Sequence, residues 1–141
     1  MHATSDVNYA DKSTISEDLA RKHEFEHLMQ MLGKILQQIV KSSGGADIWG
    51  LYARWHKLKG DLTMCSEALL KQVRAYQGSD LWKDRERFVK FAHASLELCK
   101  VYQELSYQTG GRRELFAAEM HVKNIIKQVN VAFNLLDIFS Y

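Results

Sequence analysis

Trp49-Gly50-Leu51-Tyr52-Ala53-Arg54-Trp55-His56, followed across Gly60 by Cys65-Ser66-Glu67-Ala68-Leu69, decides how this chain folds. Large groups at Trp49 and Tyr52 sit beside a small one at Ala53, and a small Cys65 precedes a large Leu69. Both segments repeat their apolar groups at three- and four-residue steps, the period of a helix face turned to a partner. Small residues at facing positions let two helices approach closely, while their large neighbours fill the space on either side. Gly60 falls between the segments, where a helical hairpin must bend. The stretch predicts two helices, about 47–59 and 61–77, with Trp49, Tyr52, Ala53, Gly60, Cys65 and Leu69 at their crossing. A generic helical hairpin remains the alternative on spacing alone.

The same punctuation divides the rest of the chain. Before it, Phe25, Leu28, Met29, Leu32, Ile35, Leu36, Ile39 and Val40 read as one stripe on a first helix, about 14–42. Thr14 and Glu17 have capping-box spacing, and Ser42-Ser43-Gly44-Gly45 closes the helix. Residues 1–13 are polar and aperiodic, which predicts a disordered lead-in. After the hairpin, Gly78-Ser79-Asp80 opens a fourth helix, about 80–107, and Thr109-Gly110-Gly111 separates it from a fifth, about 112–139. No segment alternates apolar and polar residues as a half-buried strand does. The expected fold is all-α, with about five antiparallel helices stacked as hairpins in a short α-solenoid over residues 14–141.

Composition narrows the function classes. The 141 residues contain no proline, and 46% are apolar. The net charge of +2 is too small for a strong pull on nucleic acid or anionic lipid, so neither is an expected partner. No apolar run approaches the roughly 20 residues of a membrane span, and no secretory leader is evident. Cys65 and Cys99 lie in apolar periodic stretches and predict reduced thiols. These features predict an intracellular chain, cytoplasmic with the nucleus as the alternative.

Trp49-x-x-Tyr52-Ala53-x-x-His56 with Cys65-x-x-x-Leu69 resembles the tetratricopeptide repeat, W-x₂-L-G-x₂-Y then A-x₃-F. It departs by tyrosine for leucine, alanine for glycine, histidine for tyrosine, cysteine for alanine and the lack of a closing proline. A wider resemblance adds to this one. Asp47–Leu51 with Tyr52-Ala53-Arg54, Cys65-Ser66-Glu67-Ala68-Leu69-Leu70-Lys71 and Gln77-Gly78-Ser79-Asp80-Leu81-Trp82-Lys83-Asp84 resemble the C-terminal part of the tetratricopeptide repeat protein 27 family, its plant members above all. The resemblance runs from about Ile35 to Lys127, while residues 129–141 depart from it. It implies a fragment or short product of a longer helical solenoid that acts in protein interaction without catalysis.

The remaining motifs point less far. His23-Glu24-x-x-His27 satisfies the zinc-protease pattern, which needs two histidines one turn apart on the metal and a glutamate to activate water. Gln30 replaces the glycine of the extended motif and no third ligand follows, so the stretch reads as a polar helix face. A zinc-dependent hydrolase is thus only the lesser alternative. His56, His93 and His121 fall on three different helices, and no nucleophilic triad or phosphate loop can be assigned. Trp82–Arg87 and Arg112-Arg113 are the most basic segments, the first interleaved with acids as at a solvated helix start. No cofactor or metal is expected. The expected function is a non-catalytic protein–protein interaction module, with Arg54, Lys57 and Lys59 as candidate partner-binding residues and further helical repeats as neighbours. The alternative is a self-associating helical bundle with a seam at Phe133, Leu136, Ile138 and Phe139.

Overall fold

Glycine and aspartate set most of the boundaries in the structure, a computed structural model that describes the backbone of residues 2–139 and the side chains of 12–132 and 134. The order is α1 (His2–Ser43), α2 (Ala46–Leu58), α3 (Leu62–Tyr76), a 3-10 turn at Leu81–Lys83, α4 (Arg85–Thr109) and α5 (Arg113–Phe139). The described residues are all helix and connection, without a strand. Gly60 has φ of +82° and Gly110 +67°, left-handed conformations that a Cβ would strain. Asp61 caps α3 by accepting from the Met64 N–H at 3.1 Å, and Asp84 caps α4 by accepting from the Arg87 N–H at 3.1 Å.

Each helix packs on the next in chain order, from α1 on α2 through α4 on α5. The short connections 44–45, 59–61 and 110–112 make those neighbours antiparallel. The core lies between α2, α3 and α4, where Phe91, Leu98, Val73, Val101 and Cys65 are almost wholly buried, joined by Leu81 from the 3-10 turn.

Three expectations are corrected. The first helix begins at His2, so Thr14 and Glu17 lie inside α1 rather than at its cap. The fourth helix starts at Arg85, because Asp84 rather than Asp80 takes the capping position. Asp80 instead accepts a hydrogen bond from Arg87 Nη1 at 3.0 Å, while Arg87 Nε donates to the Tyr76 carbonyl at 2.7 Å. One arginine thereby ties the connection 77–84 to both flanking helices, and its hydrogen bond holds the Asp80 carboxyl below its ordinary pKa.

The third correction concerns α1. Its apolar residues form two faces, not one. Gly33, Leu36 and Val40 are buried, whereas Phe25, Leu28, Leu32 and Ile35 are exposed. The buried face is built on Gly33, where an added Cβ would come within 2.1 Å of the Trp55 ring. Trp55 Nε1 donates to the Met29 carbonyl at 2.8 Å, locking that ring against α1. The side chains of Phe133, Leu136, Ile138 and Phe139, and with them the expected C-terminal seam, lie outside the described residues.

Candidate functional site

Three rows of side chains at helical spacing meet in an open groove of about 710 Å³. Asp47, Gly50, Leu51, Arg54 and Lys57 line one wall from α2. Cys65, Leu69, Gln72 and Tyr76 form the floor from α3. Lys90, His93, Ala94, Glu97 and Val101 line the other wall from α4. The floor is brought close by small residues, since the Gln72 amide lies over Gly50, where a Cβ would meet it at 2.5 Å.

Charges of both signs rim the groove and tie its walls together. Lys57 Nζ reaches Glu97 Oε2 at 3.9 Å, from α2 across to α4. The Tyr76 hydroxyl donates to Asp47 Oδ1 at 3.4 Å, from α3 to α2. The Lys90 pKa is raised, first by its hydrogen bond with Glu86 and next by the charge of Asp47. Both cross-links are partly solvated, so they position side chains more than they stabilise the fold. The arrangement offers an apolar strip between polar walls, suited to an extended chain or one face of a helix.

The residues expected at the α2–α3 crossing are placed as follows. Ala53 and Cys65 are each 1% exposed, Leu69 is buried with them, and the three belong to one core cluster. Trp49 packs half-buried against that cluster with the Lys71 ammonium 4.3 Å above its ring. Tyr52 turns toward Trp55 and His56, with ring centroids 5.9 and 4.4 Å away. Gly60 makes the turn. Burial pushes the Cys65 thiol above its ordinary pKa, which leaves it a packing group rather than a nucleophile.

The three candidate binding cations separate. Arg54 and Lys57 line the groove and also the cleft that α1 and α2 form beside Leu32, Leu36, Leu51, Trp55 and Leu58, whereas the Lys59 ammonium lies 4.4 Å from the Trp55 ring centroid. Sequence reasoning missed Gln72, Lys90, His93 and Glu97 as groove residues. Their signal was available as the rows 65-69-72-76 and 90-93-97-101, which only become a floor and a wall once α2, α3 and α4 are assembled. His23 and His27 are exposed on α1, and no cluster of three metal-ligating side chains occurs among the described residues. No helix of those residues is long and apolar enough to cross a membrane. Compared with protein-family models, curated proteins and solved structures, the chain finds no match.

Proposed function

We propose that this chain is a non-catalytic docking module, a short tetratricopeptide-like solenoid whose groove between α2, α3 and α4 receives an extended segment of a partner protein. The observation that carries the reading is the groove itself. Its base rests on the buried Ala53, Cys65 and Leu69, its exposed apolar side chain is Leu51, and Arg54, Lys57, His93 and Glu97 stand on walls open to solvent. Sequential packing of antiparallel neighbours and the close α2–α3 crossing support a repeat of the tetratricopeptide kind. The motifs at 47–54, 65–71 and 77–84 support kinship with the tetratricopeptide repeat protein 27 family. Further helical repeats stacking on this one belong to the same proposal.

Selection of extended peptides from a displayed library on the purified full chain tests it. Peptides should be recovered, and the double variant Arg54→Glu, Lys57→Glu should lose them while its helical circular dichroism stays unchanged. Failure to select any peptide, or binders indifferent to the double variant, would reject the groove as the docking site.

A further inference from the structure

The cleft between α1 and α2 has a volume of about 750 Å³, with α1 as its floor and α2 as its one wall. Leu51, Arg54 and Lys57 line both this cleft and the α2–α3–α4 groove. They follow one another at steps of three along α2, so a single ridge of that helix separates the two cavities and belongs to each. The cleft and the groove are two parts of one concave surface, crossed by the 51-54-57 ridge.

The chemistry of the cleft is one-sided. Leu32, Leu51 and Leu58 are 47%, 50% and 72% exposed over a buried Leu36. Trp55 is pinned by its hydrogen bond to the Met29 carbonyl, so this apolar wall is built before anything binds. The charged groups on the cleft are Arg54 and Lys57, and no carboxylate lines it among the described residues. The two carboxylates of the groove are already engaged. Glu97 takes Lys57 at 3.9 Å and Lys100 at 3.2 Å, and Asp47 accepts from the Tyr76 hydroxyl at 3.4 Å. Lys90 is paired with Glu86 at 3.4 Å. Arg54 has neither an ion pair nor a hydrogen bond among the described residues, and the half-buried Gln72 amide has no hydrogen bond among them.

Resting on the docking reading above, we propose that the partner segment spans both cavities and is recognised by an apolar side chain and an internal carboxylate two residues apart. The apolar side chain fills the cleft between Leu32, Leu51 and Leu58, and the carboxylate pairs with Arg54 on the ridge. Helices in contact lie about 8–10 Å apart, so about three extended residues reach from the cleft to the groove. Alternate side chains of an extended chain share one face and stand about 7 Å apart, which sets one in the cleft and the next over Arg54. The backbone then passes over Gly50, where the Gln72 amide offers the donor and the acceptor that a peptide group needs. A planar guanidinium holds a carboxylate through two parallel hydrogen bonds. Arg54, Lys57 and Lys90 against Asp47 and Glu97 leave the groove one positive charge in excess. A single Asp or Glu side chain neutralises that excess, whereas a doubly charged phosphate overfills it.

Decapeptides selected from a random displayed library on the purified full chain, then synthesised with both ends blocked, test the proposal by fluorescence anisotropy. The selected sequences should share an apolar and an acidic residue two positions apart. Leu32→Ser with Leu58→Ser, which line the cleft alone, should raise their dissociation constant at least about tenfold, and Gln72→Ala, in the groove alone, should also weaken them. Arg54→Glu should reverse the preference, favouring a peptide with lysine in place of the acidic residue. Peptides that need Arg54 and Gln72 but lack the shared pattern, or that ignore the two serines, would overturn the proposal and leave docking in the groove intact. An unreversed preference in Arg54→Glu would overturn it as well, as would binding that needs a free C-terminal carboxylate. If the serine variant loses its fold, the shared pattern and the charge reversal decide. Recovery of no peptide at all would overturn both the proposal and the docking reading beneath it.

Discussion

Ala53 and His56 lie on the inward face of α2 and show opposite ways in which one side chain constrains this fold. Ala53 is small because the α2–α3 crossing has no room for more. Ala53→Leu should therefore overpack the crossing and cost about 1–3 kcal/mol, read as a lowered melting temperature. An unchanged melting temperature would mean that α2 and α3 do not meet through this position. His56 is only 6% exposed, and neither ring nitrogen has a hydrogen-bond partner in the protein. Burial lowers its pKa below 6.5, against the opposing pull of Asp61 and Glu67 and with a further lowering by Lys59. The folded state thus favours the neutral imidazole, and the unfolded chain binds more protons below 6.5. The resulting stabilisation is complete above 6.5 and is lost as pH falls through 6.5 toward the folded-state value. His121, lowered by burial and by Arg74, acts in the same direction. Thermal unfolding should show a melting temperature that drops on acidification, with a smaller drop in His56→Phe. Equal drops in the two proteins would remove His56 as a cause.

Among the elements, α1 and its contact with α2 depend on the absence of a single methyl group. Gly33→Ala would add a Cβ inside the Trp55 ring, whose indole N–H is already committed to Met29. Alanine's better helix propensity, about 1 kcal/mol, does not offset moving that ring. The variant should melt lower than the wild type, and its Trp55 fluorescence should shift as the ring leaves α1. A stabilised variant with unaltered fluorescence would contradict the described α1–α2 contact. At this scale the sequence was most legible where glycine and aspartate act locally. The expected 47–59 and 61–77 became Ala46–Leu58 and Leu62–Tyr76 because Gly45, Gly60 and Asp61 act within their own turn. The start of α4 was less legible, since Asp80 and Asp84 offer the same capping chemistry and only the position of Arg87 distinguishes them. The two faces of α1 were not legible at all. Periodicity shows that Leu28, Leu32 and Leu36 are apolar and nearly aligned, but which of them meets a neighbour depends on where Trp55 and Gly33 bring α2.

For the whole molecule, the groove is a product of assembly rather than of any one helix. Arg54 and Lys57 were visible as the polar side of α2, but Lys90, His93 and Glu97 gained a role only when α4 came to lie across α3 from them. The fold leaves two surfaces uncovered, a groove with two walls and a cleft with one, which adjoin along α2 at Leu51, Arg54 and Lys57. In the proposed reading the groove takes an extended segment of a partner. This placement gives the docking account its most direct test, backbone amide shift mapping by NMR on the isotope-labelled full chain as a selected peptide is added. The account predicts perturbations concentrated at Arg54, Lys57, Gln72, His93 and Glu97, on three helices that meet only in the groove. Perturbations confined to α5 or to the exposed apolar face of α1, with those five amides unmoved, would contradict it.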